Sequence, residues 1–130
     1  MNFASSRIGR EEQHAKYVVS SRRIVALGSD VHVKEFTLVV GEEIPWHRHT
    51  QMFDVFYCLE GHLEIELAEA QSGQRLPALA LNPCESAKVE AGTAHRPYNR
   101  GPGVCRFLLV QGIGTYDYIP CQPAQSQEAK

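Results

Sequence analysis

The sequence predicts an all-β protein, an antiparallel barrel or sandwich, and three observations lead to this fold class. Segments rich in β-branched and aromatic residues recur at close and regular spacing along the chain. Residues typical of turns separate these segments, and strong helical periodicity is absent. Many short strands joined by tight turns are typical of barrels and sandwiches.

Residues 1–23 form an N-terminal segment for which two conformations stay open, a short helix or an extended edge strand. Residues 32–40 follow as a strand rich in Val, Phe and Thr. Residues 53–59 form the next strand, which is apolar on both faces apart from Asp54. We expect this strand either to be buried on both sides or to present one face to another subunit.

The following segment, residues 62–67, alternates between apolar and polar side chains, which predicts a half-buried strand. Leu63, Ile65 and Leu67 share one face, and His and Glu residues occupy the other. Residues 104–110 form another strongly apolar strand. Residues typical of turns lie between the strands, at positions 60–61, 71–74 and 101–103.

A single domain accounts for the chain, because 130 residues are enough for one ordinary domain and too few for two. The predicted barrel covers residues 24–120. Residues 121–130 are polar and low in apolar content, so this tail is predicted to be disordered.

Composition argues against several classes of partner. The net charge is −2, which provides no basic field for a nucleic-acid backbone. No run approaches the roughly 20 apolar residues of a membrane span. The N-terminus lacks the apolar stretch of a secretory signal, so we expect a cytoplasmic location, where the four cysteines stay as thiols. Without C-x-x-C spacing, these cysteines are not expected to ligate a metal: Cys58, Cys84, Cys105 and Cys121.

The triplet His47-Arg48-His49 is the most informative feature of the sequence. Side chains two residues apart on an extended strand point to the same face, so these two imidazoles can share one metal ion. Asp54 follows shortly afterwards, and His95 lies in a segment rich in turn residues. Three imidazoles and a carboxylate make a mixed N/O donor set, although two surface histidines on one face would give the same spacing.

The other three histidines receive no functional role. His62 falls on the polar face of its strand, and His14 lies in the N-terminal segment. His32 begins a strand and is interpreted as structural.

The segment around this triplet resembles the first motif of the cupin family, G-x5-H-x-H-x(3,4)-E-x6-G. Gly41, His47, His49 and Gly61 fall on its positions. Asp54 stands where the family usually has Glu. Its carboxylate is one methylene shorter, which leaves open whether it would ligate a metal directly, act through a water or hold a histidine in the right tautomer.

A later segment resembles the second cupin motif, G-x5-P-x-G-x2-H-x3-N. Gly92, His95 and Asn99 match, whereas Cys84 replaces the first Gly and Glu90 replaces Pro. We expect these two exchanges to alter turns more than chemistry. The two motifs occur in the family's order with a spacer of suitable length, and together they cover about half of the chain.

The resemblance implies a cupin barrel, that is, an antiparallel jelly roll or double-stranded β-helix with a small, mostly apolar pocket. It also implies one divalent metal ion held by His47, His49 and His95, with Asp54 in or beside the ligand set. Iron, zinc, nickel, manganese and copper are not distinguished by these ligands. Aromatic and Met residues were considered for the pocket wall, with ordinary barrel core as the alternative: Trp46, Met52, Phe53, Phe56, Tyr57, Tyr98 and Phe107.

Two classes of function follow from this resemblance. The first is a metal-dependent enzyme, such as a mononuclear-metal oxygenase (a dioxygenase among them), isomerase or lyase, acting on a small polar organic molecule. The second is a non-catalytic protein that binds or senses a small molecule, and a metal-free enzyme similar to sugar epimerases is a further alternative. Small cupins commonly pair, so a homodimer is expected. Arg96, which follows His95, is a candidate contact for an anionic substrate, with a surface ion pair as the alternative.

Overall fold

The computed structural model describes residues 17–124, which fold into ten β-strands arranged in two antiparallel sheets. None of the described residues belongs to a helix long and apolar enough to cross a membrane. The strands are β1 (Ser21–Leu27), β2 (Val31–Leu38), β3 (His47–Arg48), β4 (Phe53–Glu60), β5 (Leu63–Glu69), β6 (Arg75–Leu81), β7 (Ser86–Val89), β8 (Thr93–Tyr98), β9 (Cys105–Gly112) and β10 (Ile119–Pro120).

The strand order is β1-β2-β9-β4-β7 in the first sheet and β10-β3-β8-β5-β6 in the second. All paired strands are antiparallel, and successive strands alternate between the sheets over much of the chain. The predicted all-β antiparallel fold is confirmed. The four strands predicted most clearly from the side-chain pattern correspond to β2, β4, β5 and β9.

A hydrophobic core fills the space between the two sheets. Alternate residues of each strand point into it, as the period of two along a strand requires. Phe36 on β2 stacks on Phe107 of β9 with 5.2 Å between ring centroids, and Phe56 on β4 lies 5.7 Å from Phe107. From the second sheet, Leu63 and Ile65 are fully buried, as their alternation predicted.

Two of the motif positions act on the backbone. Gly61, between β4 and β5, has a φ of 77°, and a Cβ there would lie 2.2 Å from the carbonyl oxygen of Val104. No other residue fits this turn. Asn99 ties the end of β8 to its surroundings, because its amide donates to the carbonyls of Leu38 and Gly103, both at 2.9 Å.

The two faces of β4, which the sequence did not distinguish, differ in burial. Asp54 and Phe56 point into the core, whereas Phe53 and Val55 are half-buried and Tyr57 is 41% exposed on the opposite face. Within residues 17–124, therefore, the strand is buried on one side only. Its outer face is apolar and lies between β9 and the edge strand β7 of the first sheet.

The ends of the chain are described only in part. Residues 1–16 of the predicted N-terminal segment, with His14, lie outside the described residues, and so do residues 125–130 of the predicted tail. Strand β1 begins at Ser21. The first residues of that tail hydrogen-bond to the barrel, because Cys121 N donates to Trp46 O at 3.2 Å and Ala124 N to Gly73 O at 2.8 Å. The domain bounds drawn from the sequence stay predictions.

Candidate metal centre

Both sheets contribute to one buried polar cluster. His47 and His49 come from β3 and the residue after it, and the alternation of the extended backbone turns both inward while Arg48 points away. His95 on β8 is the cross-strand partner of His47. Asp54 comes from β4 in the opposite sheet and is 1% exposed. The potential ligand atoms of these four residues all lie within 4.8 Å of one another.

Each of the three imidazoles is held by a backbone carbonyl. Nδ1 of His47 lies 2.8 Å from Pro45 O, Nδ1 of His49 lies 2.5 Å from Asp117 O, and Nδ1 of His95 lies 2.9 Å from Thr93 O. A carbonyl oxygen can only accept, so each Nδ1 carries the proton and donates it. The three Nε2 lone pairs are then left to face the cluster, which is the arrangement that metal-binding histidines usually have.

Asp54 lies among these nitrogens. Its Oδ2 is 2.8 Å from His95 Nε2 and 3.3 Å from His49 Nε2, and its Oδ1 accepts a hydrogen bond of 3.0 Å from Gln111 Nε2. Gln111 projects from β9, which pairs with β4 at Asp54. Its Oε1 is buried and has no hydrogen-bond partner among residues 17–124.

Burial and mutual contact shift the pKa values of this cluster. Burial, together with the neighbouring His95 and His49, lowers the pKa of His47 well below its ordinary value of 6.5. Burial also acts to lower the pKa of His49, but the contact with the negative charge of Asp54 outweighs it and raises that pKa. Burial alone would raise the pKa of Asp54, yet the close imidazoles of His49 and His95 hold it well below its usual range. Asp54 is therefore a carboxylate at neutral pH.

The donor set fits a divalent transition metal ion. Three imidazoles with fixed tautomers and one carboxylate converge in a buried space, and such N/O sets suit iron, zinc, nickel, copper or manganese. Within the described chain, the polar atoms in contact with the Asp54 carboxylate are side-chain nitrogens of His95, His49 and Gln111. Its negative charge is therefore balanced only when a proton or a metal ion lies between the carboxylate and the imidazoles.

A small cavity of about 260 Å³, including its open mouth, borders the cluster. The wall combines the polar cluster with apolar and aromatic side chains. Tyr118 stacks on His47 with 4.5 Å between ring centroids, and Tyr116 lies 5.7 Å from His49. The lining residues are Tyr17, Lys34, Phe36, Ile44, His47, His49, Asp54, Phe56, Pro97, Leu109, Gln111, Tyr116 and Tyr118.

Of the seven residues considered for the pocket wall, Phe56 lines the cavity. Met52 and Phe107 are buried core, as the alternative held. The remaining four lie elsewhere on the barrel, and three of them pack under cations: Phe53 under Lys88, Tyr98 under Arg96 and Arg100, and Trp46 under Arg75.

Sequence reasoning missed several residues of the wall. Lys34 and Gln111 could have been found from strand parity, because they alternate in phase with Phe36 on β2 and with Phe107 on β9. The tyrosines at 116 and 118 lie after the last predicted strand, and no local pattern pointed to them. Arg22 on β1 also packs close to the cavity, with its guanidinium 5.3 Å from the ring centroid of Tyr17.

Other candidate residues lie outside the cavity. Arg96 makes the surface ion pair that was the alternative to substrate contact, with Nε 2.7 Å from Oε1 of Glu66 and a second contact to Glu43. His62 is exposed, and His32 packs against Tyr116 with 5.2 Å between ring centroids.

Two antiparallel five-stranded sheets enclosing three histidines and one carboxylate define a protein of the double-stranded β-helix class. The sequence agrees with this architecture: the family model described as Cupin domain matches residues 34–111, more than half of the chain, and the chain belongs to this family.

Solved structures share the fold at low sequence identity. An uncharacterized conserved protein with a double-stranded β-helix domain from Klebsiella pneumoniae is 23% identical, with a TM-score of 0.63 and coverage of 78% of this chain and 83% of that chain. KdgF from Halomonas sp. is 21% identical, with a TM-score of 0.58 and coverage of 71% and 76%. An oxalate oxidase is 16% identical, with a TM-score of 0.62, and the match covers 70% of this chain and 46% of the oxidase. No protein of curated function matches the sequence.

Proposed function

We propose that this cupin is a mononuclear metal-dependent enzyme that acts on a small polar organic molecule, with His47, His49 and His95 as metal ligands and Asp54 as a weaker or indirect contributor. The observation that carries the proposal is the set of three Nδ1 hydrogen bonds to backbone carbonyls, which leaves three Nε2 lone pairs facing one buried point. Structural core histidines have no reason to share this orientation around a carboxylate.

The chain's own residues would position the ion and keep the site dry. The backbone carbonyls fix the three rings. Gln111 holds the Asp54 carboxylate by donating to Oδ1, whereas His95 contacts Oδ2. Phe56 and Leu109 supply apolar walls that limit the entry of water. A bound divalent ion would supply Lewis-acid chemistry or activation of dioxygen, the two uses of such a site with open positions.

The reaction class stays among oxygenase, isomerase and lyase. The fold likeness to an oxalate oxidase and to KdgF does not choose between these classes, because unrelated chemistries share one fold. A non-catalytic binding protein would use the same cavity. The enclosed polar cluster beside the cavity suits both functions, so only measured turnover would identify an enzyme. Aerobic and anaerobic incubation with a panel of small acids distinguishes the two candidates.

The test of the metal site is metal content per chain after purification without an affinity tag. We expect His47→Ala, His49→Ala and His95→Ala each to lose most of the bound metal, because each removes one of three converging nitrogens. The exposed His62→Ala is the matched control and should keep the wild-type content. Circular dichroism checks that every variant folds. Wild-type metal content in all three ligand variants would refute the site and favour a metal-free enzyme or a binding protein.

The role of Asp54 is tested by the isosteric Asp54→Asn. We expect a fall of roughly 10–100-fold in metal affinity, the range typical of residues that orient or support ligands. The exposed Asp30→Asn serves as the control. A loss as complete as in the histidine variants would instead place the Asp54 carboxylate directly on the ion.

We also propose that the protein is a homodimer that pairs through the outer face of the first sheet. Phe53, Val55 and Tyr57 form an apolar strip on β4, and Val110 lies beside Val55 on the neighbouring central strand β9. A strip of this kind supports association because its apolar surface leaves water when two copies meet. The cytoplasmic location stays a prediction.

A further inference from the structure

A buried lysine lies beside the proposed metal centre and is not one of the proposed metal ligands. Lys34 lies on the inner face of β2 between His32 and Phe36, is 3% exposed and lines the cavity. Strand parity gives the reason: the residue two positions before the core residue Phe36 must point inward too. An ammonium group at such a position costs several kcal/mol of desolvation unless something compensates it.

In the described part of the chain, Lys34 has no anionic partner. Its Nζ lies 4.4 Å from the ring centroid of Tyr116, and it forms no hydrogen bond or ion pair with residues 17–124. The carboxylate that shares the cavity wall, Asp54, has both oxygens engaged by His95, His49 and Gln111. Burial, followed by the nearby charge of Arg22, lowers the pKa of Lys34 from 10.5 to about 7, with Asp54 opposing.

Arg22 lies behind the cavity wall, close enough for its charge to act on Lys34. It precedes the buried Ile24 by two residues on β1, and its guanidinium lies 5.8 Å from the ring centroid of Phe36. The three tyrosines nearby are neutral at pH 7, because burial raises the pKa of Tyr17, Tyr116 and Tyr118. Among the described residues that line the cavity, Lys34 is therefore the one ammonium side chain, and Asp54 is the one carboxylate.

We propose that Lys34 binds the carboxylate group of a small organic acid whose other end reaches the histidine cluster. Tyr116 lies beside both groups, because its ring centroid is 4.4 Å from Lys34 Nζ and 5.7 Å from the His49 ring centroid. Lys34, His49 and Tyr116 line the same small cavity, so the ligand is expected to have few non-hydrogen atoms. The inference rests on the proposed function, because it names the substrate class of the same site.

The test is equilibrium binding of pyruvate and of its neutral analogue pyruvamide, measured by NMR titration. The two ligands have nearly the same shape and differ in the charge that Lys34 would recognise. We expect wild-type protein to bind pyruvate at least ~10-fold more tightly than pyruvamide, since a hydrogen bond to a charged group contributes about 1.5–3 kcal/mol. Lys34→Met keeps the aliphatic stem and should lose that preference, whereas Lys34→Arg should retain part of it.

Lys88→Met is the matched control, because Lys88 is an exposed lysine on β7 that packs over Phe53 outside the cavity. It should bind both ligands as the wild type does. Equal binding of pyruvate and pyruvamide by the wild type, no saturable binding of pyruvate, or an unchanged preference in Lys34→Met would each overturn the inference.

Chelator-treated and metal-loaded samples separate this inference from the proposed function. Lys34→Met should have the metal content of the wild type, because Lys34 is not a ligand. If the chain binds no metal but Lys34→Met still abolishes the preference for pyruvate, the metal proposal fails and the carboxylate site stands. If metal binds as proposed and the preference does not depend on Lys34, only the carboxylate site fails.

Discussion

At the scale of single residues, the side chains that suit the cavity for binding lower the stability of the barrel. An apolar side chain in place of Lys34 would make the barrel more stable, since it would extend the aromatic core around Phe36. Residues that weaken a fold locally in this way are typical of functional sites. The same reasoning applies to Asp54, which is buried in a strand of otherwise apolar inward residues.

We predict that Lys34→Met stabilises the chelator-treated protein by roughly 1–3 kcal/mol at pH 7, because an apolar side chain of similar length replaces a buried charge. The folded-state pKa of Lys34 is lowered to about 7 from an ordinary value of 10.5. Between these values the unfolded chain holds a proton that the folded chain has released, so the wild type gains stability as pH rises.

The measurement is urea unfolding of both proteins between pH 7 and 9.5, below the range in which tyrosines titrate. The wild type should gain on the variant steadily over this window, and Lys88→Met should follow the wild type. A constant difference in the free energy of unfolding across the window would mean that Lys34 keeps its proton in the folded state.

The residues of the site were predictable to different degrees. Spacing alone put His47 and His49 on one face. Their residue types made His95 and Asp54 candidates as well, and the motif resemblance then implied that all four belong to one site. The direction of Asp54 did not follow from its own strand, because the residues around it are apolar on both faces. The tyrosines of the cavity wall depend on how the chain returns after β9, which is a property of tertiary packing that no local pattern encodes.

At the scale of elements, turns carry the departures from the family's motif. Cys84 stands where the resemblance expects Gly, and it has a φ of 75° in the turn before β7. Residues with a Cβ adopt this left-handed conformation at a cost of about 1 kcal/mol. The turn is held nonetheless, because Cys84 N donates to Cys58 O at 2.8 Å and Glu85 N donates to Asn82 O at 3.0 Å. The expectation that this exchange changes a turn agrees with the geometry.

We predict that Cys84→Gly stabilises the protein by about 0.5–1 kcal/mol, because the relief of the left-handed strain exceeds the added freedom of the unfolded chain. Cys84→Ala is the control, since it removes the thiol and keeps the Cβ. Urea unfolding under reducing conditions measures both variants. If Cys84→Ala gains as much as Cys84→Gly, the thiol and not the backbone conformation is responsible.

Strand patterns were most predictive where one face is polar. The alternation of β5 predicted the direction of Leu63 and Ile65 correctly, and both are buried. A shift in register after Ile65 breaks the alternation, so Leu67 is half-buried and Ala68 is buried instead. The short strands β3 and β10, each of two residues, give too little periodicity to be found from sequence. The metal candidates on β3 were therefore found through their spacing and not through the strand itself.

At the scale of the whole molecule, the order of strands explains why distant residues meet. Successive strands alternate between two sheets, so His47 and Asp54 lie close in sequence but face each other from opposite sheets. Sequence periodicity identifies an all-β class but contains no information on strand order. That step came from the two cupin motifs, whose spacing implies a particular topology.

The same topology places the apolar strip of β4 on the outer face of the first sheet, between β9 and β7, and this leads to the last prediction. A homodimer formed through this face should sediment at 10 µM or so with twice the mass of the 14.5 kDa chain, since closed two-fold pairs are the commonest oligomers. Tyr57→Lys should shift it to monomer, because a two-fold interface brings two copies of the new charge together.

Ala78→Lys on β6 adds the same charge to an exposed position of the other sheet and should leave the dimer intact. The metal content of both variants should stay at the wild-type level, because Tyr57 points away from the histidine cluster. A wild-type protein that sediments only as monomer refutes the dimer. A dimer that both lysine variants leave intact would instead show that the interface lies away from the outer face of the first sheet, and that the exposure of Tyr57 has a cause other than dimer formation.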